Sequence, residues 1–538
     1  MGVLLVLPSF KWKSKGLDYS LEFRLVFPTF LVGLSLCAFS CLLIGVEKKY
    51  NNRYGAIIEN SKYNFMQYYA STSKNSAFKK FGMATFFLEE YNVYAIDKQA
   101  IEVDDEYNDL RGYFAKPQNT DSEFTGILRD KNVITILAES IQPFAINEYL
   151  TPTLYHLLNN GLNFTNNYSY NKTDHSEMIS FAGNKFNESG LQTHFVEYQF
   201  PFSLPNLLNK NYKTQYFHDN VGSFYRRSEF NKMFGFEHLY FHDDIYPGED
   251  MWSWGSANYT PDLQTMNKIV DVMVPNERFY SYWSSLGTHG PYVKVNGDNY
   301  NYYNNQGYFK EISDAQASGK LINPMKTAST KLQFEFYMAK VMDFDRAVKV
   351  LVDKLDEKGI LDDTLIVIFG DHQAYYDNFH YNVYQVDSKE YYNPTIYETL
   401  MIMYNDDLTQ KYHQVYKTNE VTKFTSPMII VPTILDLLGV PYNANYYFGK
   451  SLFEPNYSHV YYNTQAGGYF NESYFSDDGL EITFALDDDK EAQEQFLQEC
   501  LNLAIRIDYG YKLYQYSCID GKYANVFGHV SYESMNYR

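Results

Sequence analysis

Four short apolar runs, and the polar residues directly after each of them, constrain this chain more than any other feature. Val133–Leu137 (VITIL) leads into Ala138-Glu139-Ser140, and Thr214–Phe217 (TQYF) into His218-Asp219-Asn220. Phe279–Leu286 (FYSYWSSL) leads into Gly287-Thr288-His289, and Thr364–Phe369 (TLIVIF) into Gly370-Asp371-His372. A fifth run, Thr399–Tyr404 (TLMIMY), comes next, and helical patterns alternate with the runs, the clearest over Leu332–Lys358. Alternation of this kind predicts an α/β domain on a mostly parallel sheet flanked by helices. Ligands of an open parallel sheet bind beyond the carboxyl ends of its strands. These four expected strand ends carry acids or histidines.

Taken singly, each of these residues has an ordinary explanation. A lone Glu139 is more often a cap or a surface carboxylate than a ligand. Gly370-Asp371-His372 is more suggestive, because glycine permits a tight turn while two metal-capable side chains leave a buried strand. The convergence of four strand ends carries the case. Carboxylate oxygens with one imidazole suit Mn²⁺ or Mg²⁺, with Zn²⁺ an alternative.

Between the first two runs lies Ser169–Met178 (SYNKTDHSEM). Thr173 with Asp174, Ser176 and Glu177 reads as capping chemistry at the start of a helix. A helix N-terminus also attracts phosphate, because its unpaired N–H groups and its dipole favour an anion. A hydroxyl placed there beside a divalent cation can lose its proton and attack an electrophile. The local sequence leaves both readings open; in the combined one, Thr173 attacks while Asp174, Ser176 and Glu177 serve the helix.

At 538 residues the chain fits one large domain with appendages. A net charge of −20 with no compensating basic run excludes nucleic acid as a partner. A phosphate-bearing ligand therefore needs a local basic group. Leu25–Val46 is uncharged over 22 residues, which as a helix spans about 33 Å, the thickness of a bilayer core. It is too long for the apolar part of a signal peptide, so an uncleaved single-pass anchor is expected, preceded by a cytoplasmic segment over 1–24. Lys11, Lys13, Lys15 and Arg24 before it, against Lys48, Lys49 and Arg53 after it, orient it only weakly. A helical connector is expected over 47–125, the catalytic domain over 126–455 and a C-terminal subdomain over 456–538, with a helix at Lys490–Ile507. Cys500 and Cys518 could pair or stay as buried thiols.

The runs NVITILAES, TPTLYHLLNNGLNFTNNYS, NKTDHSEM, TQYFHDN, FYRRSEFNKMFGF, GTHGPY, GILDDTLIVIFGDHQ and YFGKSLF closely resemble lipoteichoic acid synthases. These are membrane-anchored phosphoglycerol transferases of the alkaline phosphatase and sulfatase superfamily. The resemblance spans roughly 133–453. It implies one Mn²⁺-type ion held by Glu139, Thr173, Asp371 and His372, with Thr173 as nucleophile. It also implies recognition of a glycerophosphate head group by His218, Asn220, Tyr225, Arg227 and His289, with Arg227 as a bidentate phosphate clamp. By the same resemblance, the donor is phosphatidylglycerol and the acceptor a polyol or teichoic acid chain. The site then faces the outside of the cell membrane.

The chain departs from the family pattern in places. Tyr225 stands where a Trp is usual, Asn220 where an Asp is usual, and Ile429 replaces the Asp before Pro-Thr. The family's five membrane helices are represented by one, either through shortening or because VLLVLP is the remnant of another. A sulfatase is disfavoured because no Cys/Ser-x-Pro-x-Arg frame lies near Thr173. A phosphoethanolamine transferase or a phosphodiesterase remains as the alternative within the superfamily. A degenerate cell-surface binding protein is the alternative of another class, and retention of all four metal-site positions weighs against it.

Overall fold

The computed structural model describes residues 112–114, 120–169, 172–184, 200, 202–250, 259–293, 298–463, 467–477 and 480–517. The expected anchor Leu25–Val46 and nearly all of the expected connector lie outside the described residues. Among the described residues, no helix is long and apolar enough to cross a membrane.

The centre is an eight-stranded sheet of β1 (Asn132–Ala138), β2 (Leu162–Phe164), β3 (Lys213–Phe217), β4 (His238–Tyr240), β5 (Phe279–Ser284), β6 (Thr364–Gly370), β7 (Met401–Tyr404) and β8 (Glu420–Val421). Their spatial order is β4-β3-β5-β1-β6-β7-β2-β8. The helices that matter for the site and its cover are α1 (Pro152–Asn160), α2 (Thr173–Ala182), α3 (Arg227–Met233), α4 (Asp262–Met273), α5 (Ala328–Glu357), α6 (Ile430–Leu438) and α7 (Lys490–Ser517).

Both faces of the sheet are covered, which is why its strands read as continuous apolar runs. Along β1, Val133 and Leu137 enter the core shared with Met178 and Phe181 of α2 and with Ile434 of α6. The alternate residues Ile134 and Ile136 enter the opposite core, with Leu154 of α1, Met266 of α4 and Val341 of α5. The period of two along each strand thus sorts one sequence run between two layers. Thr327 starts α5 by accepting a hydrogen bond from Thr330 N at 3.2 Å.

Two elements differ from the sequence expectation. The third run leaves the sheet at Ser284 because Leu286 N and Gly287 N donate instead to the Asp262 carboxylate, at 3.3 and 3.1 Å. The fifth run, expected to join the parallel set, is antiparallel to β6 and begins at Met401. The link from β6 to β7 contains only a 3₁₀ turn, the short helix Phe379–Tyr384 and a second 3₁₀ turn. Without a crossover element to carry it back, the chain re-enters the sheet from the end at which it left.

Beyond the sheet, β9 (Tyr461–Asn463), β10 (Gly468–Phe470), β11 (Tyr474–Asp477) and β12 (Ile482–Ala485) form an antiparallel four-stranded sheet, followed by α7. Tyr461, Phe470, Tyr474, Phe496 and Cys500 share a core with Ile179, Tyr397 and Phe424 of the main body. Cys500 is buried, and burial pushes its thiol pKa up; Cys518 lies outside the described residues.

Candidate active site

Strands β1 and β6 pair in register, with Ala138 opposite Gly370. The residues after them, Glu139 and Asp371-His372, therefore emerge side by side. Gly370 permits this crossing, because a Cβ there would stand 2.4 Å from Ile141 O. Ser140 then turns the chain through a left-handed conformation, φ 55°. Its N–H donates to Asp371 Oδ1 at 2.8 Å, and the Tyr337 hydroxyl donates to its carbonyl at 3.0 Å. A strained turn held from both sides positions neighbouring side chains closely.

Thr173 opens α2. No side chain caps that helix end, so Thr173 is the first helical residue and not the cap. Its Oγ1 lies 3.2 Å from Glu139 Oε2 and 3.2 Å from His372 Nε2. His372 Nδ1 donates to Gln373 O at 2.9 Å, which aims Nε2 into the cluster, 3.2 Å from Asp371 Oδ2. Glu139, Asp371 and His372 are all buried, and one ligand atom from each lies within 4.8 Å of the others. Burial and the neighbouring Glu139 push the Asp371 carboxyl up to about 7, although His372 pulls it back. Burial would lower His372, but Asp371 and Glu139 together outweigh it and hold it up. Asp371 Oδ2 is buried without a hydrogen-bond partner. Two crowded carboxylates, one with a buried oxygen that no hydrogen bond satisfies, and the imidazole Nε2 beside them form a donor set that fits a divalent cation.

A second group of residues gathers beside β3. Arg227, at the start of α3, is buried and its Nε donates to Glu177 Oε2 at 2.8 Å. Burial would lower the guanidinium pKa, but Glu177 holds it high. The Tyr216 hydroxyl donates to the other oxygen of Glu177. Arg227 Nη1 is buried without a partner. Glu177 therefore anchors this arginine, one helical turn below Thr173 on the same helix, and does not cap α2. Nor does Ser176, whose hydroxyl donates to Asp371 O at 2.6 Å. Asp174 alone of the three stays in the first turn with no cap bond.

His218 Nδ1 donates to Ser284 O at 2.8 Å, and its buried Nε2 has no partner. Burial, and then Arg227, lower its pKa well below the usual value. The Tyr225 ring lies 5.0 Å from the Arg227 guanidinium carbon, in a left-handed conformation with φ 54°. Asn220 turns its amide oxygen to Val221 N at 2.7 Å. On the other flank, His289 Nδ1 donates to Gly290 O at 2.6 Å. Burial lowers its pKa to about 4, so the ring is neutral and Nε2 is a lone pair. Lys340 of α5 fastens this loop by donating to Gly287 O and His289 O, at 3.0 and 2.7 Å.

Sequence reasoning missed Glu177, Tyr216, Ser140 and Lys340 as parts of this assembly. A carboxylate this close to a helix start reads equally well as a cap, so the sequence carries no signal that singles Glu177 out.

A family model described as Sulfatase matches residues 131–440. Among curated relatives, a lipoteichoic acid synthase-like protein of Bacillus subtilis (strain 168), YvgJ, is 24% identical over 377 residues, covering 66% of this chain and 55% of its own length. Lipoteichoic acid synthase 1 of the same organism is 22% identical over 480 residues, covering 85% of this chain and 67% of its own. The chain thus spans about half to two thirds of these relatives. The crystal structure of the lipoteichoic acid synthase LtaP from Listeria monocytogenes superposes with a TM-score of 0.52 at 21% identity, over 77% of this chain and 96% of that one; it shares the fold.

Proposed function

We propose, from the premise that this chain belongs to the sulfatase family, that it is a metal-dependent phosphotransferase using Thr173 as nucleophile. In this reading it moves glycerophosphate from a phosphatidylglycerol-type lipid to a polyol or teichoic acid acceptor, as the names of its curated relatives suggest. The carrying observation is the position of Thr173 Oγ1, 3.2 Å from both Glu139 Oε2 and His372 Nε2, on the helix whose Glu177 fixes Arg227.

Glu139, Asp371, His372 and the Thr173 oxygen would hold one Mn²⁺, with Mg²⁺ or Zn²⁺ as alternatives. Such an ion, when bound, supplies positive charge to the phosphoryl oxygens and makes the Thr173 hydroxyl easier to deprotonate. The remaining work belongs to the protein. Arg227 Nη1, buried without a partner and held by Glu177, is the donor left for a phosphate oxygen, preorganised at no cost of reorganisation in the transition state. His218 Nε2, lacking a proton, accepts a hydrogen bond from a head-group hydroxyl, and Tyr225 packs beside it. Thr173 displaces diacylglycerol and becomes a phosphodiester, and the acceptor hydroxyl releases it. The anchor at Leu25–Val46 would keep the catalytic region at the outer membrane surface, where a lipid donor lies.

The test uses the full-length chain in detergent with Mn²⁺ and labelled phosphatidylglycerol. Diacylglycerol release and a mass adduct on Thr173 are expected, both falling more than about 10³-fold in Thr173→Ala. Equal release by the two proteins would refute the nucleophile. Consumption of phosphatidylethanolamine in place of phosphatidylglycerol would replace the head group and leave the mechanism standing.

A further inference from the structure

A run of aromatic rings stands beside the reacting hydroxyl, and attack by Thr173 on a lipid donor makes no use of it. The strand order places β3, with Arg227 beyond it, on one flank of β1, and β6 on the other. Just past β6, Tyr375 and Tyr376 stack on each other, 4.8 Å between centroids and 20° between planes. Tyr375 leans on His372 at 5.0 Å, and Tyr376 continues to His289 at 5.1 Å. Tyr259 meets the His289 ring at 4.8 Å. The arc therefore runs unbroken from the cluster around Thr173 to the unprotonated Nε2 of His289.

This arc is open yet firmly built. Tyr375 is 42% exposed, while Asp377 and Asn378, just after the two rings, are both left-handed, with φ 52° and 57°. Gly290 is moulded onto Tyr376, whose ring a Cβ would approach to 2.3 Å. The Tyr376 hydroxyl lies 3.4 Å from His289 Nε2, so that nitrogen already faces a hydroxyl.

The chemistry of this flank differs from that of the other. Arg227, with its unpartnered buried nitrogen, suits an anion. The ammonium of Lys340 on this side is spent on two carbonyls, which leaves rings, hydroxyls and a lone pair. Such groups suit a neutral polyhydroxy chain, whose C–H faces pack on rings and whose hydroxyls donate to imidazole and phenol.

We propose that Tyr375 and Tyr376 form the subsite for the acceptor polyol, with His289 Nε2 accepting the proton of its attacking hydroxyl. The inference rests on the phosphotransfer reading. In the step, the acceptor oxygen bonds to phosphorus and its proton moves to Nε2. The bond from phosphorus to Thr173 Oγ1 breaks with its electron pair on Oγ1. Nε2 then loses its proton to solvent, from which Oγ1 is reprotonated. A ring shelf over the phosphodiester also hinders water, which makes the outcome transfer in preference to hydrolysis.

The test loads the full-length chain with glycerophosphate from phosphatidylglycerol in Mn²⁺ and tracks decay of the Thr173 adduct at rising glycerol. The glycerol diester made by transfer is separated from the monoester made by water. Tyr375→Ala should need about tenfold more glycerol for equal partition, while adduct formation slows far less. Tyr375→Phe, which keeps the ring, should stay within about twofold of wild type. An unchanged partition in Tyr375→Ala overturns the subsite, and so does a loss of adduct formation as large as the loss of partition. If wild type forms no adduct, the phosphotransfer reading itself has failed and the subsite falls with it.

Discussion

The two flanks of the site are built on opposite principles. Around β1 and β6 the backbone does the positioning: Ser140 N and His372 N both donate to Asp371 Oδ1, and Glu139 N donates to Ser285 Oγ. The result is a compact cluster of two carboxylates and an imidazole whose donor set fits a divalent cation. Around β3 a side-chain ion pair does the positioning, with Glu177 holding Arg227, and the result is a positive group that needs an anion. In the proposed reaction, a phosphate diester held to a cation would span that difference. One flank is written into strand ends and the other into a helix face, and they fail differently when broken.

The largest contrast comes from removing a charge on the cluster side. Asp371→Asn should abolish the rise in melting temperature that Mn²⁺ gives wild type, because binding to the folded state alone stabilises by mass action. Differential scanning with and without Mn²⁺ reads this. An equal Mn²⁺ shift in wild type and variant would remove Asp371 from the ligand set.

On the Arg227 side the expected loss is in the apoprotein. Glu177→Ala strands a buried guanidinium, which costs about 3–5 kcal/mol, and denaturant unfolding should show it without any metal. Adding Arg227→Leu to that variant should recover part of the stability while donor turnover stays lost. If the double variant is less stable than the sum of the single ones, the pair is not coupled as described.

The smallest effect sharpens the role of His289. Burial lowers its pKa to about 4, below the ordinary value near 6.5. A base works when unprotonated, so transfer at saturating Mn²⁺ should stay level as pH falls from 8 to about 5. It should drop only as pH passes about 4, and His289→Gln should remove that limb. A limb near 6.5 in wild type would show that the ring titrates as an exposed histidine.

The same contrast decides how much of the molecule was legible in the sequence. Glu139, Asp371 and His372 could be read because a parallel sheet directs its strand ends to one edge, and acids or histidines there are conspicuous. Glu177 could not, because a carboxylate in the first turns of a helix has a commonplace capping reading, and only packing shows Arg227 beneath it. The short outer strands β2, β4 and β8 have three, three and two residues, too few for a period to register. The direction of β7 depended on the missing crossover helix and not on TLMIMY itself. The sheet β9–β12 leaves as little trace, because its strands have three or four residues and lie in tyrosine-rich sequence.

Thr173 and Glu177 sit four residues apart on α2, which separates them by about 6 Å along its axis. The helix is thus a ruler with Thr173 at one mark and the anchor of Arg227 at the other. Loops can breathe, but the spacing between these two side chains does not stretch with them. Insertion of one residue between those marks would rotate Glu177 by about 100° around the helix and turn the clamp away while every site residue was still present. Under the proposed reaction, phosphonates that bridge this fixed interval are the inhibitors to make first.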